Sequence, residues 1–314
     1  MLVLNFPAII STDQTPVAVQ DFINRNKLPQ AYLQSAQRWF EPLLQQFADR
    51  YAVDTSTQIM GINGSQGSGK STLADYLCTM ITDRHAVSTV ALSMDDFYLT
   101  KAERLALADT VHPLLATRGV PGTHDIDLFI NTIDGLKAGA DTAIPRFDKA
   151  ADDRVSGDKV EIHHGPVDLI VIEGWCWGAK PQSESELQQP INTLESMEDP
   201  HGHWRQYINQ SLAGNYQQLF AMVDQLIMLQ APSFDAVYNW RLEQETKLME
   251  RLKTTENSTK SGLMSAQQIR EFIQYFQRIT EHSLREMPAR AQHLYQLDRQ
   301  RNIIAHRTGP NIQQ

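Results

Sequence analysis

From residue 58 onward, short apolar runs alternate with longer segments in which apolar residues recur at helical spacing. This alternation is typical of a parallel α/β sheet with helices packed on its faces. It predicts four core strands, a fifth near the carboxyl end and a hairpin partner beyond it, at residues 59–62, 87–92, 168–172, 226–229, 294–297 and 303–305. Each helical segment predicts one buried face, formed by Leu73, Tyr76, Leu77, Met80 and Ile81; by Ile126, Phe129, Ile130 and Ile133; by Leu212, Tyr216, Leu219, Phe220 and Val223; and by Ile269, Phe272, Ile273, Phe276 and Ile279.

Residues 1–57 do not share this alternation and are predicted to form a helical extension. Their apolar positions at helical spacing are Tyr32, Ala36, Trp39, Leu43 and Phe47. Pro29 is placed to start this helix, and Pro42 to kink or split it. We therefore predict an N-terminal helical extension over residues 1–57, packed as one unit with an α/β domain over residues 58–314. Polar composition predicts two surface loops, at residues 182–200 and 257–262.

The chain of 314 residues carries a net charge of −9, with a pI near 5.6. This balance disfavours nucleic acid as a partner, and it requires any anionic ligand to have its own cluster of cations. Cys78 and Cys176 cannot form a disulfide framework, which favours a reducing compartment. The first residues lack a basic stretch before an apolar run, and no run of 18 apolar residues occurs, so we expect a cytoplasmic protein without a signal peptide or membrane span.

The strongest chemical signal is the sequence GSQGSGKS at residues 64–71, a complete phosphate-binding loop motif between a predicted strand and a predicted helix. Glycines let the backbone amides of such a loop point at phosphate, and the helix N-terminus adds positive potential. Lys70 would contact the β and γ phosphates of ATP, and the Ser71 hydroxyl would contact Mg²⁺. The residues predicted to bind ATP are Gly64, Ser65, Gln66, Gly67, Ser68, Gly69, Lys70, Ser71 and Thr72.

Three carboxylates follow predicted strands, where open α/β sheets face their ligands. Asp95 and Asp96 come after the second strand, and Glu173 ends the third. A kinase that acts on a hydroxyl needs one carboxylate to accept the hydroxyl proton, and we assign this catalytic role to Asp95. Asp96 is predicted to support the loop or the metal shell, with capping of the next helix as the alternative. Glu173 is predicted to hold Mg²⁺ together with Ser71 and Asp95.

Basic residues concentrate between the second and third core strands. Arg118 and His124 surround a Pro-Gly turn, and Arg146, Lys149 and Arg154 follow within a short stretch. In a chain of net charge −9, this concentration predicts a binding site for an anionic acceptor substrate. The alternative is a solvated loop with scattered charges.

Arg241 and Glu245 lie four residues apart on an otherwise apolar helical stripe. Charge on a stripe that faces a core is costly unless it is paired or functional. One interpretation is an intrahelical ion pair. The other, which we adopt as the prediction, makes Arg241 a catalytic lid arginine that reaches the transferring phosphoryl group.

The order of these motifs resembles the D-glycerate 3-kinase family, within the P-loop kinases related to uridine kinase, phosphoribulokinase and pantothenate kinase. The segments that carry the resemblance are GSQGSGKS at 64–71, SMDDFYLT at 93–100, RGVPGTHD at 118–125, IPRFDK at 144–149 and IEGW at 172–175. The resemblance extends over roughly residues 55–300. It implies a three-layer α/β P-loop kinase fold with a mainly parallel sheet, and phosphorylation of D-glycerate to 3-phosphoglycerate by ATP.

The same resemblance assigns roles to single residues. Asp95 matches the carboxylate beside the acceptor hydroxyl, residues 64–72 the phosphate loop, and Glu173 the acidic end of the third strand. The residues that match the substrate side are Arg118, His124, Arg146 and Lys149. The chain departs from the family pattern at Phe147, where tyrosine is expected, and after Asp148, where the loop that carries Arg154 is short.

Two alternatives to a glycerate kinase stay open from the sequence. The first keeps the reaction and changes the acceptor to pantothenate, a nucleoside or another sugar acid. The second is a regulatory protein that binds ATP without transferring phosphate. Lys70, Asp95 and Glu173 occurring together favour an enzyme, because a protein that only binds ATP has no need of Asp95. The expected partners are ATP and a small anionic acceptor, in a monomer or homodimer.

Overall fold

The computed structural model describes residues 16–253 and 264–309. The predicted loop at 257–262 lies outside these residues. The strands, in chain order, are β1 (Gln58–Gly64), β2 (Thr89–Ser93), β3 (Thr142–Ile144), β4 (Phe147–Asp148), β5 (Asp153–Arg154), β6 (Glu161–His163), β7 (Leu169–Gly174), β8 (Gln225–Gln230), β9 (His293–Leu297) and β10 (Ile303–Thr308). The helices are α1 (Val17–Asn26), α2 (Ala31–Tyr51), α3 (Lys70–His85), α4 (Lys101–Thr110), α5 (Ile126–Ala138), α6 (Glu184–Leu187), α7 (Thr193–Glu198), α8 (His203–Ala213), α9 (Asn215–Phe220), α10 (Phe234–Lys253) and α11 (Ala266–Glu286).

Six strands form the central sheet in the order β10-β9-β8-β1-β7-β2. Every neighbouring pair is parallel except β9 and β10, which form an antiparallel hairpin. The central strands β1, β7 and β8 are buried along almost their whole length. Strands buried on both faces occur in the sequence as short apolar runs, which is why these three were predictable. The mainly parallel sheet predicted from the sequence is confirmed.

Helices cover both faces of this sheet, in the three-layer arrangement expected. On one face Ile59, Ile170 and Met228 pack with residues of α5, α8 and α9. On the other face Met60 and Val171 pack with residues of α1, α2, α3 and α10. Successive residues of one strand therefore contribute to different cores, as the pleat requires.

The two N-terminal helices pack against α3. Arg25 of α1 forms an ion pair with Asp75 at 2.5 Å, and the Phe22 and Phe40 rings contact the Tyr76 ring. Of the kink or split predicted at Pro42, the split is wrong, because α2 continues through it as one helix; the kink stays a prediction. A proline removes only one backbone donor, and the buried residues on either side of it hold this helix to the core. The boundary between an extension at 1–57 and a domain at 58–314 stays a prediction.

The polar segment 182–200 is not the simple surface loop that its composition predicts. It contains α6 and α7, and Glu195 within it is fully buried in a bidentate ion pair with Arg278 of α11, at 2.7 and 2.6 Å. Asp199 is likewise buried against Arg205, at 3.0 Å. Composition indicates exposure only where a charge has no partner, and here Arg278 and Arg205 provide partners for the two carboxylates.

The helix predicted over residues 212–223 is divided at Gly214 into α8 and α9. Its predicted apolar face is nevertheless buried, because both pieces pack on the same core. In the part of the chain that the structure describes, no helix has the length and apolarity needed to cross a bilayer.

Candidate active site

The phosphate loop connects β1 to α3 at the carboxyl edge of the sheet. Gly67 and Gly69 adopt φ values of +77° and +92°, which side chains with a Cβ rarely adopt. A Cβ on Gly67 would also lie 2.8 Å from the Cβ of Trp240. Glycine is therefore required at this position both by the turn and by the close approach of α10.

The loop presents polar atoms that have no partner within the described part of the chain. The Ser65 Oγ, Gln66 Oε1 and Ser68 Oγ atoms are buried and have no hydrogen-bond partner in the described chain. Within the described chain, no side chain caps the N-terminus of α3. Buried polar groups are normally satisfied, so this set fits an anionic ligand that lies against the helix start.

Glu173, at the end of β7, lies beside this loop. Its Oε1 accepts hydrogen bonds from the Ser71 Oγ at 2.7 Å and the Ser93 Oγ at 2.9 Å. Its Oε2 has no hydrogen-bond partner among the residues that the structure describes, and it lies 3.6 Å from the Lys70 Nζ. Ser93 was not among the predicted site residues, although it ends β2 in register with Glu173 on the neighbouring strand. The signal that could have identified it is this shared position at a strand end.

These oxygens fit a magnesium ion held jointly by protein and nucleotide. Ser71 and Glu173 supply the hard oxygen ligands that Mg²⁺ prefers. Over residues 16–253 and 264–309, no group of three His, Cys, Asp or Glu side chains could hold a metal alone. The residues therefore suit Mg²⁺ that arrives with phosphate oxygens, not a metal caged by the protein. Asp95 as a third ligand stays a prediction.

Asp95 lies in the short 3₁₀ helix Met94–Asp96 that follows β2. Its Oδ1 accepts from the Tyr98 hydroxyl at 2.6 Å and its Oδ2 from the Lys149 Nζ at 2.8 Å. Burial alone would raise the pKa of Asp95, but the positive charges of Lys149 and Lys70 outweigh burial and hold the pKa well below its usual value. The structure thus brings together the phosphate-loop lysine, one predicted base and one predicted substrate-side lysine.

Asp96 has a different environment from Asp95. It accepts from the Phe147 backbone N–H at 3.1 Å and from the Arg146 Nη1 at 3.3 Å. Burial raises its pKa despite these contacts. The next helix, α4, is capped by Thr100 and not by either aspartate. Asp96 therefore ties the IPRFDK segment to the turn that carries Asp95, which is a loop-supporting contact.

The RGVPGTHD segment docks beside this same turn. The Leu99 N–H donates to the Thr123 carbonyl at 2.9 Å, and the Asp125 N–H donates to the Phe97 carbonyl at 2.8 Å. Arg154 connects the two segments, donating to the Tyr98 carbonyl at 2.7 Å and to the Asp125 Oδ2 at 2.8 Å. These contacts bring motifs that are far apart in the chain into one site.

His124 is thereby placed against the Tyr98 ring, with 4.8 Å between ring centroids. Its Nδ1 lies 2.7 Å from the Tyr216 hydroxyl. Its Nε2 is buried and has no hydrogen-bond partner among the described residues. Burial lowers the pKa of His124 to about 4, although the Asp95 charge acts in the opposite direction.

The predicted substrate-side arginines are both paired with carboxylates, a pairing that their positions in the sequence do not indicate. Arg118 forms an ion pair with Asp152, and its guanidinium lies 5.3 Å from the centroid of the Phe147 ring. Arg146 pairs with Glu161 at 3.1 Å in addition to Asp96. Burial raises the pKa of the Tyr98 hydroxyl, which is hydrogen-bonded to Asp95, and the Arg118 charge acts to lower it.

Arg241 forms the intrahelical ion pair that the sequence left open as the alternative, at 2.8 Å from Glu245. Glu245 is buried, and its other oxygen accepts from the Met264 backbone N–H at 2.9 Å. The adjacent Trp240 packs on the phosphate loop at Gly67. A role for Arg241 as a lid arginine stays a prediction.

A cleft of about 830 Å³ lies over the phosphate loop, which is a volume typical of ligand sites. Its walls come from the α1–α2 connection, α10 and the turn between β9 and β10. The predicted ATP-binding residues that line it are Gly67, Ser68, Gly69, Lys70, Ser71 and Thr72. Tyr32 and Ala36 of α2 also line it, so the N-terminal helices form part of the cleft.

No family model matches the chain. Over 235 residues the chain is 34% identical to the uncharacterized kinase mug58 of Schizosaccharomyces pombe, a match that covers 69% of this chain and 78% of that protein. It is 32% identical over 208 residues to the chloroplastic D-glycerate 3-kinase of Arabidopsis thaliana, covering 61% of this chain and 42% of that relative. The fold matches a solved D-glycerate 3-kinase from Cryptococcus neoformans var. grubii with a TM-score of 0.69 at 22% identity, over 84% of this chain and 96% of that one.

Proposed function

Because the chain belongs to the D-glycerate 3-kinase family of P-loop kinases, we propose that it transfers the γ-phosphoryl group of ATP to a hydroxyl of a small anionic acceptor, D-glycerate, to give 3-phosphoglycerate. The observation that carries this proposal is the position of Asp95. It is a carboxylate at a strand end, bound by Tyr98 and Lys149, and within the electrostatic reach of Lys70 on the phosphate loop. A protein that only binds ATP has no use for such a group.

On the nucleotide side, residues 64–72 would bind the phosphates of ATP. Lys70 would place positive charge at the β and γ phosphates, and Ser71 with Glu173 would hold Mg²⁺. Bound with the phosphates, Mg²⁺ supplies positive charge that offsets the charge developing on the transferring group. Arg241 would add to this charge if it left Glu245.

On the acceptor side, Asp95 would orient the attacking hydroxyl and accept its proton. Lys149 is the more exposed of the two partners of Asp95, with 61% of its side chain accessible, whereas Tyr98 is buried. The hydroxyl of the acceptor substrate can therefore replace Lys149 at Asp95 without breaking the buried hydrogen bond between Asp95 and Tyr98. His124, Arg118 and Arg146 would bind the remaining polar groups of the acceptor.

The proposal is tested by measuring ATP turnover with D-glycerate, L-glycerate, pantothenate and uridine side by side. We expect D-glycerate to give the largest kcat/KM. Turnover with uridine or pantothenate instead would support kinase activity with an acceptor other than D-glycerate. Tight ATP binding without turnover on any acceptor would favour the regulatory alternative. A cytoplasmic location and a monomeric or homodimeric state are further parts of this proposal.

Replacing Arg118 by Gln is expected to raise the KM for D-glycerate about ten- to a hundredfold, with little change in the KM for ATP. Loss of one charge-assisted hydrogen bond costs about 1.5–3 kcal/mol, which corresponds to this range. Arg104 still pairs with Asp152 at 3.0 Å in this variant, so the loop keeps its anchor. Arg146→Gln is the comparison variant. A rise confined to the KM for ATP in both variants would mean that these arginines serve phosphate.

Replacing Lys149 by Met is expected to move the acidic limb of the kcat/KM profile to higher pH. Lys149 favours the ionised form of Asp95, and burial favours the neutral form, so the pKa rises when the lysine is removed. An adjacent opposite charge typically lowers a carboxyl pKa by about 1–3 units, so a limb displaced by about one unit or more is expected. Lys149→Arg keeps the charge and should retain the original profile. Identical profiles for Met and Arg would contradict this account of Asp95.

A further inference from the structure

Tyr216, in α9, places its hydroxyl between the RGVPGTHD segment and the His124 imidazole. The residue is 1% exposed. Its oxygen accepts the Gly122 backbone N–H at 2.9 Å, and the His124 backbone N–H also points to it. The hydroxyl lies 2.7 Å from the His124 Nδ1.

These contacts determine which nitrogen of His124 carries the proton. The Gly122 N–H donates to the phenol oxygen, so that contact cannot receive the hydroxyl proton. Among the described residues, the His124 Nδ1 is the one acceptor within hydrogen-bond distance of this buried hydroxyl. A buried O–H normally has a partner, so Tyr216 donates to Nδ1, and the single proton of a neutral imidazole must lie on Nε2.

The imidazole is neutral at pH 7, because burial lowers its pKa to about 4. The groups that face it are Tyr216, the Tyr98 ring and the charge of Asp95. Its Nε2 is buried and has no partner in the described chain, while the residue as a whole is 5% exposed. The His124 Nε2–H is thus a donor held in one tautomer, unpaired in the described chain, and within the electrostatic reach of the proposed base Asp95. A bound acceptor substrate would supply the missing partner.

We propose that Tyr216 is a positioning residue that holds His124 as a neutral Nε2–H donor. The substrate site then selects a molecule that carries a carboxylate or carbonyl oxygen, able to accept this hydrogen bond, beside the hydroxyl bound at Asp95. Only the identity of the acceptor rests on the proposed function, since the tautomer is a property of the protein alone. A compound that places an apolar group or an ammonium at this point would leave the Nε2–H unpaired. Sites built to pair a buried polar group reject analogues that cannot pair it.

The tautomer is measured directly by NMR on the ¹⁵N-histidine-labelled full chain, with the His124 signals identified by their loss in His124→Gln. We expect the Nε2–H tautomer in the wild-type protein between pH 6 and 8. Tyr216→Phe should give a mixture of tautomers, since nothing then donates to Nδ1. Tyr207→Phe is the matched control, because the Tyr207 hydroxyl contacts the Gly122 carbonyl at 3.4 Å and leaves Nδ1 untouched. An Nδ1–H tautomer or an imidazolium in the wild-type protein would overturn the proposal.

The consequence for the acceptor is measured by kinetics with D-glycerate, or with whichever acceptor the turnover panel identifies. Tyr216→Phe should raise the KM for the acceptor roughly three- to tenfold, the usual effect of one weakened hydrogen bond, and leave the KM for ATP within about twofold. In a His124→Gln background, the same change should alter the acceptor KM less than about twofold. An equal rise in both backgrounds would show that the hydroxyl merely supports the loop, and would overturn the proposal.

A second pair of variants decides the question even if Tyr216→Phe fails to fold. His124→Gln retains an amide donor near the Nε2 position and should keep the acceptor KM within about threefold, whereas His124→Leu should raise it about tenfold. Equal values for Gln and Leu would overturn the role of the donor. If no acceptor is turned over at all, the proposed function fails while the NMR result still decides the role of Tyr216.

Discussion

Lys70→Ala is expected to lower turnover about a thousandfold while the protein stays folded. Removal of a single electrostatic contact at a reacting centre typically costs about this factor. The Lys70 Nζ lies 3.6 Å from the Glu173 Oε2, and its charge also acts on Asp95. The same cation would therefore act on the phosphates, on the predicted metal ligand Glu173 and on the predicted base Asp95, and alanine removes all three interactions together.

The measurement is steady-state turnover at saturating ATP, with the thermal unfolding midpoint recorded for each variant. Lys247→Ala is the matched control, because Lys247 lines the same cleft but forms its ion pair with Glu243 of its own helix. We expect the control to retain turnover within about threefold, because exposed ion pairs contribute little. A Lys70→Ala enzyme that kept more than a tenth of the wild-type turnover would rule out our assignment of the phosphate loop.

Asp95→Asn is expected to preserve ATP binding and to lower the rate of transfer about a hundredfold or more. The amide keeps the shape of the side chain and can still accept from Tyr98, but it cannot accept the proton of the acceptor hydroxyl. It also removes the negative charge of Asp95, which the positive charges of Lys149 and Lys70 stabilise. The loss should therefore fall on kcat, with the Kd for ATP changed little.

Asp96→Asn is the matched control for this prediction. Asp96 contacts the Phe147 N–H and Arg146, so its variant should loosen the acceptor-side segment and raise the acceptor KM more than it lowers kcat. Transfer kinetics and ATP titrations on the two variants separate these effects. An active Asp95→Asn beside an inactive Asp96→Asn would mean that the base is the other carboxylate of the pair.

Most of the sheet was predictable because its signals are local. Each central strand is a short apolar run, and strands buried on both faces produce such runs wherever they lie in the chain. The phosphate loop was predictable for the same reason, since its glycines, Lys70 and Ser71 are contiguous and lie between a strand and a helix. The small antiparallel pairs β3–β6 and β4–β5 were missed because strands of two or three residues carry too few positions for any periodicity.

The partners of the charged residues could not be predicted from spacing. Lys149 pairs with Asp95 across 54 positions, and His124 meets Tyr216 across 92. Tyr216 belongs to an apolar stripe, and nothing in that stripe indicates that its hydroxyl reaches a histidine. Likewise Glu195 lies in a segment whose composition predicts exposure, but it is buried in an ion pair with Arg278, 83 positions away.

The sequence by itself determined the α/β class, the order of the core strands along the chain, the phosphate loop and the candidates for base and metal ligand. These depend on neighbouring residues, whose relation is set by the periods of helix and strand. The tertiary structure alone decided that Ser71 and Ser93 both donate to Glu173, that the Lys70 charge acts on Asp95, and that the predicted substrate-side arginines have acidic partners. Such contacts arise where loops from different strand ends meet, and their geometry follows from packing, which a linear pattern does not encode.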